Sequence, residues 1–252
     1  MIFELTQKVF RKIYYKVIAR DHRVDRFFRY RNPKKYWQER GGEQYFNEQE
    51  AVLDRTRRSD FIAKEIRKLN YSSLLEVGSG YGKQLKNLYR EGVFMAGCDF
   101  SHSQLLKAGN YLRGLKLVLL ESDAEQLPFR TGSFDVVLSS AVILHNEPEK
   151  AKRILSELIR VGRRYLVFNE DTDLTFSRYG YDMKKSFESM KFKILHSGPI
   201  PCVEDSRNTQ FTVVDLEAPG REIRPEKIAL RYHRPPPNRL EKQGIFPYTT
   251  SL

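Results

Sequence analysis

The hydrophobic pattern of the central part of the chain alternates between two periods. Short, nearly continuous apolar runs are each followed by a longer stretch in which apolar residues recur every three or four positions, which predicts buried strands alternating with amphipathic helices. Because strands separated by helices pair in parallel, this order predicts a doubly wound α/β sheet with helices on both faces. The predicted strands lie near residues 73–77, 93–98, 115–120, 134–139 and 164–168, and the predicted helices lie at 83–91, from 101 or 103 to 112, and at 147–161.

The pattern changes after residue 180. A helix near 181–190 leads to a strand at 192–196, and a further strand at 210–216 follows with only a loop between them. Two consecutive strands without a helix indicate an antiparallel pair at one edge of the sheet. We therefore predict a Rossmann-like, mostly parallel seven-stranded sheet with an antiparallel last strand. The helix that follows Ser101 is expected to carry Leu105, Leu106 and Leu112.

The N-terminal part of the chain does not follow this alternation. Residues 2–20 can form an amphipathic helix with a basic face, which either lies on an anionic membrane surface or packs on its own domain. Residues 21–40 interleave arginines with aromatic side chains, a composition that can hold nucleic acid, although no known nucleic-acid motif accompanies it. After the break at Gly41 and Gly42, residues 48–69 resume as a helix with these inward candidates: Val52, Phe61, Ile62, Ile66 and Leu69.

The C-terminal part of the chain is rich in proline. From Pro219 onward it holds six of the eleven prolines, which disfavours both helix and central strand and indicates an arm or a disordered extension. The pattern therefore divides the chain into a basic N-terminal helical extension or lid (1–70), an α/β domain (71–218) and a basic C-terminal arm (219–252).

The net charge of +12 is concentrated at the two ends. Residues 1–40 hold twelve Lys and Arg against four Asp and Glu, residues 219–252 hold seven against three, and the middle is neutral. The charge therefore concerns partners or docking more than the central chemistry. No apolar run approaches the roughly 18 residues of a membrane helix. Cys98 and Cys202 form neither a disulfide framework nor a metal pair, so we expect a cytoplasmic protein without a metal, with contact to a membrane only through residues 2–20.

A glycine-rich turn stands at the centre of this organisation. The first apolar strand ends at Glu76 and Val77, and glycines then occupy the alternate positions Gly78, Gly80 and Gly82 before a helix begins. A buried strand that leads through a glycine turn into a helix forms a cradle for a nucleotide-like ligand. Glycine permits the backbone conformations of such a turn and lets the ligand approach without a Cβ in the way.

Polar residues follow the other predicted strands at the same edge of the sheet. An open parallel sheet binds its ligand at the carboxyl ends of its strands. Because five strand ends carry such residues, we expect them to form one site. They are Asp99 after the second strand, Asp123 after the third, Ser139, Ser140 and His145 after the fourth, and Asn169, Glu170 and Asp171 after the fifth.

Four segments in this region resemble class I S-adenosylmethionine-dependent methyltransferases, in particular the type 11 methyltransferase domain. They are residues 75–82, 97–101, 123–129 and 133–137, and they keep the order and spacing of that family. The resemblance covers about residues 71–216. It implies that the chain binds S-adenosyl-L-methionine and transfers its methyl group.

The resemblance also implies a role for each residue of the cofactor site. The turn formed by Gly78, Ser79, Gly80 and Gly82 would lie against the amino-acid part of the cofactor, with Glu76 helping to orient it. Asp99 would accept hydrogen bonds from the ribose hydroxyls, and Phe100 would pack on the adenine. Asp123 would accept from the adenine amino group, the N–H of Ala124 would face a ring nitrogen, and Ser140 would border the methionine portion.

A dinucleotide-dependent oxidoreductase is the rival within the same architecture. Its fingerprint, GxGxxG, places the third small residue at position 83, where this chain has Lys83, and the third glycine falls at Gly82 instead. The segment 123–129 has no role in that fingerprint. The glycine spacing therefore favours the methyltransferase.

Methyl transfer from a sulfonium depends mainly on alignment and on desolvation of the nucleophile. A hydroxyl acceptor would benefit from a general base, and His145 is the first candidate because it follows the fourth strand and an imidazole titrates near neutral pH. Its alternative role is simply to begin the next helix. Glu170 and Asp171 are second-rank candidates.

The acceptor is the least constrained part of the prediction. Residues 35–42 resemble the flank of relatives that modify glycans or lipid-linked sugars and that cover the cofactor with it, so Trp37, Arg40 and Tyr45 would form a lid. We expect transfer to oxygen or nitrogen of a small molecule, sugar or lipid-linked glycan. The alternatives are an RNA or protein methyltransferase and a non-catalytic binding protein that uses its basic ends. The sequence does not indicate an oligomeric state.

Overall fold

The structure is a computed structural model, and it describes residues 33–40, 42–51, 53–172, 179–201, 209–217 and 225–232. The predicted helix at 2–20, most of the arginine-aromatic stretch and most of the proline-rich arm lie outside the described residues.

Seven strands form one sheet. They are β1 (Ser73–Val77), β2 (Phe94–Asp99), β3 (Val118–Glu121), β4 (Phe134–Ser140), β5 (Gly162–Asp171), β6 (Lys193–Pro199) and β7 (Thr209–Asp215). Their order across the sheet is β3-β2-β1-β4-β5-β7-β6, with parallel pairing from β3 to β5. β7 runs antiparallel to both of its neighbours. The predicted sheet, including its antiparallel last strand, is confirmed.

Helices cover both faces of this sheet. They are α1 (Pro33–Arg40), α2 (Glu43–Glu50), α3 (Leu53–Ile66), α4 (Lys83–Leu88), α5 (His102–Tyr111), α6 (Pro148–Val161) and α7 (Met183–Ser189). Two further segments, Ile143–His145 and Pro225–Lys227, form single 3₁₀ turns. None of the helices in the described part of the chain is long and apolar enough to cross a membrane.

The sheet separates two hydrophobic cores. Alternate residues of β1 point to opposite faces, so Leu75 and Val77 pack with α6 and α7 while Leu74 packs with α3, α4 and α5. The buried side of α3 and the segment around Ile228 contribute to these cores, although both lie outside residues 71–218. The division of the chain at residues 70 and 218 stays a prediction.

Several details differ from the pattern-based prediction; for example, α4 ends at Leu88 and not at residue 91, and β3 begins at Val118 and not at residue 115. The predicted helix at 48–69 is two helices, because α2 ends at Glu50 and α3 begins at Leu53. Strand β5 runs to Asp171, three residues past the predicted end, and is paired along that extension with β7. In α5, Leu106 is 61 % exposed and Gln104 is buried, and Leu112, which is also buried, follows the last residue of the helix.

Candidate active site

The glycine turn after β1 adopts the backbone conformation that its composition predicts. Gly78, Gly80 and Gly82 have φ values of +73°, +54° and +86°, in the left-handed region that other residues adopt at a cost. The N–H of Gly78 donates to the carbonyl of Cys98 at 2.8 Å, which ties the turn to the end of β2. A Cβ at Gly78 would lie 2.3 Å from Cγ2 of Val142, so this position has no room for a side chain.

Asp99, the last residue of β2, joins the first two strand ends. One carboxylate oxygen accepts the N–H of Gly80 at 2.9 Å, and the other accepts the N–H of Ser101 at 2.8 Å. Burial raises the pKa of Asp99, and the same N–H groups partly offset that rise. The carboxylate is therefore fixed in direction at the edge of the sheet, with lone pairs left for a ligand.

A single cleft opens at the carboxyl ends of β1 to β4. Eight of the residues predicted from the sequence line it, and the structure brings them together as expected from the parallel sheet. These are Gly78, Gly80, Asp99, Phe100, Asp123, Ala124, Ser140 and His145.

Three other predicted residues are not among those that line this cleft. Glu76 is 4 % exposed, and burial together with the nearby charge of Asp99 raises the pKa of Glu76 well above its usual range. Ser79 packs beside Gly97 of β2, and Gly82 faces Leu112. The contacts of Glu76, Ser79 and Gly82 with the cofactor stay predictions. In this structure the three residues belong to the turn or the strand before it and are not among those that line the cleft.

His145 lies in the 3₁₀ turn after β4 and faces the N-terminal flank. Its ring contacts the ring of Trp37 with 5.0 Å between centroids and 63° between planes. Trp37 in turn contacts Tyr45, at 5.7 Å between centroids. These three rings line the cleft together with the glycine turn and Asp99.

Helix α1 is attached to the cleft at several points. The ammonium of Lys34 lies 3.5 Å from a carboxylate oxygen of Asp123. The hydroxyl of Ser101 donates to the carbonyl of Trp37 at 3.3 Å, and that of Ser103 donates to the carbonyl of Gln38 at 3.0 Å. Trp37 and Tyr45, two of the three residues of the predicted lid, line the cleft, whereas the side chain of Arg40 lies outside the described residues. The lid itself stays a prediction.

The two carboxylates at the end of β5 are placed differently from His145. Glu170 is fully buried, and its carboxylate accepts the backbone N–H groups of Val142, Ile143 and Leu144, each at 3.1 Å. Burial raises the pKa of Glu170 to about 8 against the opposing effect of those N–H groups. Asp171 is also buried and accepts the hydroxyl of Thr209 at 3.1 Å. Neither is among the residues that line the cleft, so both lack the access that a general base requires.

Gln104 is a cleft residue that the sequence analysis missed. It is 4 % exposed, lines the cleft from the start of α5, and its Oε1 has no hydrogen-bond partner within the described ranges. Its spacing of four from the buried Ala108 is the only sequence signal that could have placed it on the inner face. Lys34, Lys150 and Asn146 were likewise not predicted and also line the cleft.

The residues present fit S-adenosylmethionine. Buried polar atoms normally have a partner, yet Oε1 of Gln104, which lines the cleft, has none among the residues that the structure describes. Oε2 of Glu76 and Oδ1 of Asn169 also have none there, but neither residue lines the cleft. The amide oxygen of Gln104 and the carboxylates of Asp99 and Asp123 are acceptors, and the cofactor carries an ammonium group, two ribose hydroxyls and an adenine amino group as donors.

Comparison with known proteins agrees with this fit. Residues 75–165 match a family described as a methyltransferase domain. Phosphatidylethanolamine N-methyltransferase of Cereibacter sphaeroides is 38% identical over 95 residues, which are 36% of this chain and 45% of that protein. Demethylmenaquinone methyltransferase of Beutenbergia cavernae is 34% identical over 90 residues, 36% of each chain. The chain thus spans less than half the length of these curated relatives.

Solved structures share the fold at low sequence identity. Phosphoethanolamine N-methyltransferase 1 of Haemonchus contortus, solved with phosphoethanolamine and S-adenosylhomocysteine, has a TM-score of 0.60 and 14% identity, over 81% of this chain and 52% of that one. Magnesium protoporphyrin IX methyltransferase of Synechocystis, solved with bound cofactor, has a TM-score of 0.55 and 16% identity, over 76% of this chain and 96% of that one. Residues 75–165, which include the glycine turn, Asp99 and Asp123, therefore form a methyltransferase domain, and the fold is that of the S-adenosylmethionine-dependent methyltransferases.

Proposed function

We propose that the chain is an S-adenosylmethionine-dependent methyltransferase that transfers the methyl group to oxygen or nitrogen of a small molecule, a sugar or a lipid-linked acceptor. The observation that carries this proposal is the shared cleft, which is lined by the glycine turn and the carboxylates of Asp99 and Asp123 together with the rings of Trp37, Tyr45 and His145. The cleft thus combines groups that would hold the cofactor with a titratable group that would serve the acceptor.

The bound cofactor supplies a methyl group that is already activated by a positively charged sulfur. Asp99 would hold the ribose through its two oxygens, and Asp123 with the N–H of Ala124 would hold the adenine edge. The glycine turn would let the amino-acid part lie against backbone, and the buried carboxylate of Glu76 would orient its ammonium group. These contacts fix the position of the methyl group, which is the main contribution that a protein makes to such a transfer.

The acceptor side would depend on His145 and its aromatic neighbours. A neutral imidazole can accept the proton of a hydroxyl or ammonium acceptor as the new bond to carbon forms. The ring of Trp37 at 5.0 Å would limit the orientations of His145, and together with Tyr45 it would shield a bound acceptor from water. A nucleophile in such a site keeps less of its hydration shell and is therefore more reactive.

The names of the relatives support an acceptor of low molecular weight or a lipid. They include a phosphatidylethanolamine N-methyltransferase, a demethylmenaquinone methyltransferase and a phosphoethanolamine N-methyltransferase. The flank at residues 35–42 supports a sugar or lipid-linked glycan by its resemblance to glycan-modifying relatives. A lipid-linked acceptor would also give a role to the basic helix expected at residues 2–20. That helix would lie on an anionic membrane surface while the protein is cytoplasmic.

The test is transfer of a tritiated methyl group from S-adenosylmethionine to a panel of acceptors. The panel contains ethanolamine phospholipids in vesicles, demethylmenaquinone, phosphoethanolamine and undecaprenyl-linked sugars, with RNA and a protein extract as the alternative classes. We expect one of the first four to be labelled, and His145→Gln to reduce that labelling more than it reduces cofactor binding. Labelling of RNA alone, with steep salt dependence, would favour the nucleic-acid alternative and the basic ends as its binding surface. Cofactor binding without any transfer would favour a non-catalytic binding protein.

A further inference from the structure

We propose that Glu170 is the positioning residue of the active site, and that its buried carboxylate holds the turn after β4 in the shape that brings His145 to the cleft. The inference rests on the proposed function only in giving His145 a catalytic role. The position of His145 itself can be measured without cofactor or acceptor.

The turn after β4 depends on Glu170 for its backbone hydrogen bonds. One carboxylate oxygen accepts the N–H groups of Val142 and Ile143, and the other accepts the N–H of Leu144, each at 3.1 Å. Three consecutive N–H groups at the start of a 3₁₀ turn have no partner inside the turn itself. Because Ile143 and Leu144 are buried, water does not replace the carboxylate at those two groups.

The backbone on either side of these three residues is also constrained. Ala141 has φ +58°, and its N–H donates to the carbonyl of Asn169 at 2.9 Å. The side-chain amide of Asn146 donates to the carbonyl of Val142 at 2.7 Å. A residue other than glycine holds a left-handed conformation only where its surroundings enforce it. The end of β5, with Asn169 and Glu170, is the element that enforces it here.

The turn carries one side chain beside the proposed cofactor site and one beside the proposed acceptor site. Val142 packs where a Cβ of Gly78 would lie, so it borders the glycine turn proposed to hold the cofactor. His145 contacts Trp37 and is the residue proposed to act on the acceptor. A change at Glu170 would therefore move both, although Glu170 is not one of the residues that line the cleft.

The contacts of Glu170 favour this role over that of a base. Both of its oxygens already accept N–H groups, and the side chain is fully buried, so a substrate proton has no path to it. Glutamine at this position would present an NH₂ group to at least one of the three N–H donors. Glu170→Gln therefore replaces an attraction by a repulsion while keeping the shape of the side chain.

The experiment follows the histidine side chains by NMR in the full-length chain labelled with ¹³C-histidine. The chain has five histidines, and His145→Gln identifies the resonance of His145 by its loss. Because the ring of Trp37 lies 5.0 Å away, that resonance should carry a ring-current shift that Trp37→Leu removes. We expect Glu170→Gln to remove the same shift and to leave the resonance of His102, which is exposed on α5, in place.

Asp135→Asn is the matched control. Asp135 is also buried and also accepts a backbone N–H, that of Ser72 at 2.8 Å, but it lies at the opposite end of β4. The substitution Asp135→Asn should lower the melting temperature of the protein without moving the His145 resonance. An unmoved His145 resonance in folded Glu170→Gln would overturn the proposal.

Two further measurements keep the proposal testable if Glu170→Gln does not fold. Glu170→Asp keeps the carboxyl group but withdraws it by one methylene, and it should move the His145 resonance in the same direction. In the unaltered chain, the amides of Ile143 and Leu144 should be protected from hydrogen exchange, and rapid exchange of these amides would contradict the proposal. If the unaltered chain does not bind S-adenosylhomocysteine, the proposed function is refuted. A His145 resonance that still moves in Glu170→Gln would nevertheless support this positioning role.

Discussion

Alanine substitutions at Gly80 and Gly82 should separate the stability of the fold from the binding of cofactor. Both glycines have positive φ, +54° and +86°, so both substitutions introduce the same kind of backbone strain. They differ in their surroundings. A Cβ at Gly80 meets nothing within 4 Å and lies at the cleft, whereas a Cβ at Gly82 lies 2.4 Å from Cδ1 of Leu112, away from the cleft.

The magnitudes follow from these contacts. A left-handed conformation costs about 1–2 kcal/mol for a residue other than glycine. Overpacking of a buried site adds about 1–3 kcal/mol, and Leu112 is buried. We therefore expect Gly80→Ala to lower the free energy of unfolding by about 1–2 kcal/mol and Gly82→Ala by about 2–5 kcal/mol. At Gly80 the methyl group takes space in the cleft, and even about 1.4 kcal/mol of lost binding energy is a tenfold loss of affinity.

Urea denaturation followed by circular dichroism measures the first quantity, and calorimetric titration with S-adenosylhomocysteine measures the second. The expected result is a crossed pattern. Gly80→Ala stays stable and loses at least about tenfold in affinity, while Gly82→Ala loses stability and keeps its affinity in the folded fraction. Gly78→Ala, which has both a clash with Val142 and a place at the cleft, should lose both.

Two results would refute this reasoning. If Gly80→Ala bound S-adenosylhomocysteine as tightly as the unaltered chain, the cofactor would not lie against the turn. If Gly82→Ala were no less stable than Gly80→Ala, the contact with Leu112 would not be a tight one.

Two further predictions concern single carboxylates. Asp99→Asn should weaken binding of S-adenosylhomocysteine by about 1–1.5 kcal/mol for each hydrogen bond to the ribose, because a hydrogen bond to a charged group contributes about 1.5–3 kcal/mol and one to a neutral group about 0.5–1.5 kcal/mol. Glu217→Gln, at an exposed acid that is not among the residues that line the cleft, should have no effect in the same titration. Burial alone would raise the pKa of Asp135, but the N–H of Ser72, the guanidinium of Arg163 and the hydroxyl of Ser72 outweigh it and lower the pKa to about 2. Since the folded value lies below the unfolded one, Asp135 should contribute about 2 kcal/mol of stability above pH 4 that is lost as the pH falls from about 4 to 2. Denaturation curves of Asp135→Asn should lack that part of the pH dependence, and a curve that matches the unaltered chain at every pH would contradict the assignment.

The fold was predictable because its signals are local and repeated. Each buried strand is a short apolar run, and each strand end is marked by a polar residue or a glycine. The parallel order then brings those ends to one edge, which is how Asp99, Asp123 and His145 could be placed in one cleft before any contact was known. The antiparallel edge followed from the missing helix between the last two strands.

The functions of particular buried residues were less predictable, because they depend on contacts between distant segments. Glu170 follows a strand in the same way as Asp99, and the sequence gives no sign that its carboxylate faces three backbone N–H groups from residues 142–144. That contact is set by the pairing of β4 with β5, in which Ser140 lies opposite Asn169.

The position of Gln104 was missed for a related reason. Helical periodicity gives the spacing of the inward face but not which side chains are on it when apolar residues are adjacent, as Leu105 and Leu106 are. The cleft makes Gln104 an inward residue, and a polar residue on the inner face has no hydrophobic signal in the sequence.

Calorimetric titration of the unaltered chain with S-adenosylmethionine and S-adenosylhomocysteine, with NAD as the control ligand, tests the central claim most directly. The account predicts that both sulfur compounds bind at one site with micromolar affinity and that NAD does not bind. Absence of binding by either compound to a folded sample would contradict the account, and binding of NAD alone would assign the cleft to the rival dinucleotide-dependent class.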